Sequence, residues 1–246
     1  MTLPSFLLGD LADRRVGETV VLDGDEGRHA VVVKRIRAGE RIELTDGAGV
    51  RARVVVESTT RATLAGAIED VVLLTPELPT LTVVQAIPKG DRGELTVQVL
   101  TEVGADVIVP WAAERCVAVW KGERAAKAHG RWVSTSRAAA KQARRGFWPA
   151  VADVASTDAV ARLVAQADLA VVLHEAAEQP LAELSLDGVG SLVLVVGPEG
   201  GLTDGEVRRL ADAGAHVVRL GRSVLRTSSA GLAGAAALLS RTPRWR

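Results

Sequence analysis

From residue 81 onward, short runs of Val, Leu and Ala alternate with longer amphipathic stretches, and this alternation restricts the fold more than any other feature of the chain. Runs such as Leu169–Leu173 and Leu192–Val196 are apolar at every position. A strand that is apolar on both faces has to be covered on both, which is the condition inside a parallel sheet flanked by helices. The pattern predicts strand Leu81–Ile87, helix Arg92–Val103, strand Val107–Pro110, strand Cys116–Trp120, helix Glu123–Ala143, strand Ala150–Val154, helix Asp158–Ala167 and strand Leu169–Leu173. It continues with strand Ser191–Val196, helix Thr203–Ala213, strand His216–Leu220 and helix Thr227–Leu239. In such sheets ligands sit outside the carboxyl ends of the strands, so the residues just after each apolar run are the first candidates for chemistry.

The first 70 residues follow another grammar. Short β-branched runs at Glu18–Asp23, Arg41–Thr45, Val50–Glu57 and Ala62–Glu69 are punctuated by Asp23-Gly24 and Asp46-Gly47-Ala48-Gly49, as in a small β-barrel, with one helix around Gly27–Ile36. The stretch Leu74–Thr80 carries two prolines and divides the two grammars. The expected organisation is a β-rich domain over 1–74, a linker over 75–80 and an α/β domain over 81–246, with a loose basic tail from Arg241 to Arg246. A single cysteine, Cys116, excludes a disulfide framework and a Cys-rich zinc site, so no metal is expected. With no run long enough to span a bilayer and no leader pattern, the chain reads as cytoplasmic and not membrane-bound.

Three segments stand out chemically. In Val195-Val196-Gly197-Pro198-Glu199-Gly200-Gly201-Leu202-Thr203-Asp204-Gly205-Glu206 an apolar strand enters a glycine-rich turn, and Thr203 precedes Glu206 by three, a capping-box spacing. Three glycines there let backbone approach a ligand, yet neither the phosphate-loop nor the dinucleotide spacing is present. In Arg219-Leu220-Gly221-Arg222-Ser223-Val224-Leu225-Arg226-Thr227 a strand passes through a loop into an Ala/Gly/Leu helix, expected to be buried all round, and places Arg226 at its edge. A guanidinium beside so apolar an element needs an anionic partner or a role. Third, Leu173-His174-Glu175 ends a buried run.

Formal net charge is zero, but the charge is not evenly spread. Between Arg115 and Arg145 basic residues are opposed only by Glu123, and Trp120, Trp132, Phe147 and Trp148 are interleaved, a pattern suited to phosphates and stacked bases. Arg28, His29, Lys34 and Arg35 form a second basic group near the N-terminus.

Together these residues resemble the RsmE family of 16S rRNA uracil-N3 methyltransferases, within the SPOUT superfamily. The likeness rests on Pro88-Lys89-Gly90-Asp91-Arg92, Thr101-Glu102-Val103-Gly104-Ala105, Ile108-Val109-Pro110 and Glu114-Arg115-Cys116, then Gly197-Pro198-Glu199-Gly200-Gly201, then Leu220-Gly221 with Leu225-Arg226-Thr227. Arg28-His29 and Asp46-Gly47 fit as well. The resemblance implies a PUA-like β-barrel followed by a SPOUT domain, whose mainly parallel sheet ends in a C-terminal trefoil knot. It implies S-adenosylmethionine as cofactor, held by Leu173, His174, Glu175, Gly197, Pro198, Glu199, Gly200, Gly201, Leu220, Gly221, Leu225, Arg226 and Thr227. It further implies a homodimer acting on 16S rRNA or the small ribosomal subunit. The basic residues assigned to RNA are Arg28, His29, Lys34, Arg35, Lys89, Arg92, Arg115, Arg131, Lys141, Arg144 and Arg145.

Two positions depart from the family pattern. Ser228-Ser229 stands where Glu-Thr is common, and Lys141-Gln142 stands where Glu-Gln is common. Arg226 is the expected catalytic cation, and Glu175, Glu199 or water the expected base. Two rivals remain at this level: another SPOUT methyltransferase acting on a ribose 2′-hydroxyl or a guanine, and a non-catalytic ribosome-assembly factor. A Rossmann-type methyltransferase does not fit, since Pro88-Lys89-Gly90-Asp91 follows the first strand of the α/β region in place of a Gly-x-Gly loop.

Overall fold

The structure, a computed structural model, describes residues 3–90 and 92–245. Asp91 and Arg246, which the sequence placed in a motif and in the tail, lie outside the described residues, as do residues 1 and 2. The chain forms two units, one of residues 1–76 with 144–148 and one of residues 77–143 with 149–246.

The first unit carries β1 (Ser5–Leu7), β2 (Thr19–Leu22), α1 (Gly24–Arg28) continuing into a π turn over His29–Val33, then β3 (Arg41–Thr45), β4 (Val50–Thr59) and β5 (Leu64–Leu73). They form a five-stranded sheet in the order β1-β3-β4-β5-β2, with β1 parallel to β3 and the other pairs antiparallel. The period-two rule explains β4: Val50, Ala52, Val54 and Val56 face the core, while the residues between them face outward. Gly66 is obligatory, because a Cβ there would stand 2.4 Å from the Val55 carbonyl oxygen. The turn at Asp46 is set by its own carboxylate, which accepts from the amides of Ala48 (2.7 Å) and Val50 (2.9 Å).

Residues 144–148 join this sheet. Trp148 donates its amide to Gly47 O (2.8 Å), Gly49 donates to Gly146 O (3.1 Å), and the Arg51 guanidinium donates to Arg144 O (2.6 Å). The rings of Phe147 and Trp148 lie against Gly49 and Gly47, which corrects the expectation that they are available to stack on bases.

The second unit holds β6 (Thr80–Ala86), α2 (Arg92–Val103), β7 (Val107–Trp111), α3 (Glu123–Gln142), β8 (Ala150–Val151), α4 (Thr157–Gln166) and β9 (Leu169–Leu173). It ends with β10 (Ser191–Val196), α5 (Asp204–Asp212), β11 (His216–Val218) and α6 (Thr227–Leu239). All six strands are parallel, in the order β11-β9-β10-β6-β7-β8. Val83, Val171 and Leu194 face one layer with α2, α3 and α6, and Val84, Val172 and Val195 face the other with α4 and α5. The chain runs outward from β6 through β8, returns to β9, inserts β10 between β9 and β6, then places β11 beyond β9. That reversal gathers the carboxyl ends of β9, β10 and β11, the switch point at which sites form in open α/β sheets.

Three expectations are corrected. Cys116–Trp120 is loop and not strand, because the edge of β7 is already taken by β8 and by a bridge from Trp111 to Ala155. Helix α6 is not buried all round: Leu232, Ala233, Ala236 and Ala237 are only half-buried. The tail is not loose over its described residues, 241–245. Arg241 donates to Leu181 O and Leu184 O, and Arg244, 6% exposed, donates to Pro79 O (2.9 Å) and Gly104 O (2.9 Å) while pairing with Asp106 at 2.7 Å. Arg244→Ala is therefore expected to cost about 2–3 kcal/mol, below the full penalty for breaking a buried pair because Asp106 retains some solvent, and thermal unfolding measures it.

Candidate active site

The ends of β9, β10 and β11 open onto a cavity of about 550 Å³, within the range of about 300–1,000 Å³ usual for small-molecule sites. Its lining takes in Leu173, His174 and Glu175 from the end of β9, Val196 to Glu199 with Gly201 and Leu202 from the glycine loop, and Leu220 to Thr227 with Ala230 from the loop entering α6. Of the residues the sequence assigned to a cofactor, all but Gly200 line this one cavity.

The glycine loop is held from below. Glu206, 1% exposed, accepts at one oxygen from the amide of Thr203 (2.9 Å) and at the other from the amide of Glu114 (2.9 Å), while the Thr203 hydroxyl accepts from the Glu206 amide (3.2 Å). The capping box thus fastens the loop to the segment after β7 as well as starting α5. Arg115 adds a second tie, its guanidinium donating to Gly200 O (3.3 Å) and Leu202 O (3.4 Å). The sequence assigned Arg115 to RNA; its guanidinium lies on the glycine loop. A Cβ on Gly200 would stand 3.0 Å from the Arg115 Cβ, and Gly201 has φ +71°, so both positions need glycine for stated reasons. Glu199 accepts from the amide of Lys89 (3.3 Å), linking the loop after β6 to the same wall.

Glu206 was read from sequence only as a cap. The signal that could have exposed its second role is its burial, which a capping pattern does not encode.

On the opposite wall, His174 Nδ1 accepts from the amide of Ala176 (3.2 Å), so the neutral ring carries its proton on Nε2. Arg226 is the N-cap residue of α6, exposed, and makes no ion pair among the described residues. None of the amides from Leu220 to Leu225 donates a backbone hydrogen bond among the described residues, so this loop keeps its donors for a ligand. Val224 is 79% exposed and Leu225 is 41% exposed.

The remaining assigned residues are spread. Arg28, Lys34, Arg35 and Arg144 are exposed and His29 sits edge-on to Phe6 at 5.9 Å, all in the first unit with Arg145. Lys89, Arg92, Arg131 and Lys141 belong to the second unit, where Arg131 pairs with Glu94 at 3.3 Å. Among the described residues no group of His, Cys, Asp and Glu is placed to hold a metal ion, and no helix is long and apolar enough to cross a membrane.

The family model for the RNA methyltransferase domain matches residues 76–239, and that for the RNA methyltransferase PUA domain matches 22–66. The ribosomal RNA small subunit methyltransferase E of Mycobacterium tuberculosis is 45% identical over 244 residues, covering 98% of this chain and 92% of the relative. The chain belongs to the ribosomal RNA small subunit methyltransferase E family. The Bacillus subtilis methyltransferase E is 31% identical over 87% of both chains. Among solved structures, the methyltransferase E of Neisseria gonorrhoeae bound to S-adenosyl methionine superposes with a TM-score of 0.82 at 30% identity, covering 97% of this chain and 98% of that one. Membership in the methyltransferase E family agrees with the architecture observed, one β-sheet unit and one α/β unit with a wholly parallel sheet.

Proposed function

We propose that this chain is a methyltransferase that transfers a methyl group from S-adenosylmethionine to N3 of a uridine in 16S ribosomal RNA, the uridine usually numbered 1498. The observation that carries this reading is the meeting of loops 197–201 and 220–227 over one cavity in a chain of the methyltransferase E family.

The residues present suit the cofactor. Leu173, Val196, Leu202, Leu220 and Ala230 offer an apolar bed for an adenine, the unengaged amides of Leu220 to Leu225 offer donors to its edge, and Glu175 and Glu199 offer negative charge to a cationic ligand. When bound, S-adenosylmethionine supplies an electrophilic methyl group. The protein's part is to hold the base in line with it, handle one proton and stabilise charge. Uracil N3 is protonated at neutral pH, so a base has to accept that proton. Glu175 and the free oxygen of Glu199 can accept one; His174 is less suited, since its unprotonated nitrogen, Nδ1, already accepts from the Ala176 amide. Arg226 stabilises the negative charge that grows on the uracil oxygens.

The division into a PUA-like domain over 1–74, a linker over 75–80 and a knotted methyltransferase domain over 81–246 belongs to the same proposal, as does a cytoplasmic site of action on the small subunit. So does a homodimer, supported by the half-buried apolar face of α6 and by exposed Val224 and Leu225 beside the cavity.

Titration of the purified protein with S-adenosylmethionine tests the reading: saturable binding is expected, and its absence removes the enzyme in favour of a pure RNA-binding factor. For the RNA, Arg144→Ala with Arg145→Ala is expected to weaken binding, to flatten its dependence on salt by about one unit of slope for each phosphate no longer neutralised, and to leave cofactor affinity unchanged. Filter binding at several salt concentrations measures it.

A further inference from the structure

A second, smaller cleft of about 50 Å³ lies in the same unit, lined by Ile87, Pro88, Gly90, Gly93, Glu94, Trp120, Ala128, Arg131 and Trp132. We infer that this cleft is a subsite for one phosphate of the RNA backbone, beside the cavity that takes the target base. The inference rests on the proposed methyltransferase reading and adds to it a defined contact.

Several observations converge on an anion. Helix α2 begins at Arg92, so its first-turn amides, including that of Gly93, have no carbonyl partner within the helix and carry the positive end of its dipole. Trp132 is 3% exposed, and its indole N–H has no hydrogen-bond partner among the described residues. The side chain is buried but its nitrogen is not sealed off, and an unengaged donor on the wall of a cleft is available to a ligand. That N–H reaches the helix start itself: a Cβ on Gly93 would stand 2.8 Å from Trp132 Nε1. Only glycine lets the indole nitrogen come so close to the first turn. Gly90 has φ +68°, so the preceding loop also turns its backbone in a way other residues resist.

Charge favours the same ligand. Glu94 lines the cleft too, but Arg131 pairs with it at 3.3 Å and cancels its charge. Lys89 and Arg92 adjoin the lining residues Gly90 and Gly93 in sequence and are exposed, so that even with Asp91 between them the segment 89–92 carries a net positive charge in a chain with none overall. A volume of about 50 Å³ admits a small oxyanion and not a base or a cofactor. Trp120, edge-on to Trp132 at 5.0 Å, walls one side.

Position ties the cleft to the reaction. The loop that forms it, Ile87 to Gly90, bonds through the Lys89 amide to Glu199 on the wall of the main cavity. A phosphate held by the donors of Gly93 and Trp132, with Arg131 offsetting the Glu94 carboxylate that would repel it, is neighbour to the nucleotide whose base enters that cavity. A base drawn out of its stack needs its backbone gripped nearby.

The test uses the full chain, in which five tryptophans give five indole N–H signals. The Trp132 signal, identified by its loss in Trp132→Phe, is followed by NMR during titration with inorganic phosphate, then with an oligoribonucleotide carrying the target uridine. The expected result is a saturable shift of that signal with both ligands. Arg131→Gln, an exposed change that leaves the core intact, is expected to weaken phosphate and RNA binding three- to tenfold and to reduce the salt slope by about one, with cofactor affinity unchanged. Should Trp132→Phe fail to fold, Arg131→Gln carries the comparison alone. A Trp132 signal unmoved by phosphate, or Arg131→Gln binding RNA as the wild type does, overturns the subsite. A wild-type chain whose Trp132 responds to phosphate but which transfers no methyl supports the cleft and counts against the enzyme.

Discussion

Arg226→Ala is expected to lower the rate of methyl transfer about 100- to 1,000-fold, the usual consequence of removing one group that stabilises charge in the transition state. Affinity for S-adenosylmethionine should change little, because the apolar bed and the loop amides remain. The expectation follows from placement. Arg226 lines the cavity at the start of α6, is exposed, and makes no ion pair among the described residues that would give it another employment. Arg226→Lys should recover part of the rate, since a point charge replaces the planar fork only partly. Single-turnover rates with saturating cofactor make the measurement. Unchanged turnover in Arg226→Ala with intact cofactor binding removes this residue from the mechanism.

Glu206→Ala is expected to be the most damaging change to the site that touches no ligand. It removes the buried carboxylate that accepts from the partly buried amides of Thr203 and Glu114, and hydrogen bonds to a charged group contribute about 1.5–3 kcal/mol each, so a net loss of about 2–4 kcal/mol follows once water has replaced part of what is lost. At about 2–4 °C per kcal/mol for a domain of this size, Tm should fall by roughly 5–15 °C. Cofactor affinity should fall at least tenfold as the glycine loop loses its anchor. Calorimetric unfolding and cofactor titration separate the two effects. Arg115→Met, which cuts the other tie to the loop, should weaken cofactor binding with a much smaller loss of stability, because Arg115 is exposed and its bonds of 3.3 and 3.4 Å are long. Equal cofactor affinity in Glu206→Ala and wild type would show that the loop does not need this clamp.

The α/β half was legible because strands buried on two faces are apolar at every position, and Leu169–Leu173, Ser191–Val196 and Thr227–Leu239 end where the sequence ends them. Strand β1 was missed because three residues carry no period, and its pairing to β3 is set by tertiary contact. Cys116–Trp120 has the composition of a strand, but Val117 and Val119 are exposed, and the side of β7 that they follow is taken by β8 and by the bridge from Trp111 to Ala155. Charge patterns gave location without direction. Arg241 and Arg244 look like a solvated tail and instead cap carbonyls far away in the chain, and the Arg115 guanidinium, which looks like a phosphate ligand, lies on Gly200 and Leu202. The docking of 144–148 onto Gly47 and Gly49 joins residues about a hundred positions apart, which no local pattern can report.

The central claim is that loops 197–201 and 220–227 together serve methyl transfer to a uracil ring nitrogen. The most direct test is incubation of the wild-type chain with methyl-labelled S-adenosylmethionine and small ribosomal subunits lacking the modification, followed by digestion to nucleosides and mass spectrometry. The account predicts label in 3-methyluridine, formed about 100- to 1,000-fold more slowly when Arg226→Ala replaces the wild type. Label in a 2′-O-methylated nucleoside or in a guanine, or no label at all, would contradict it.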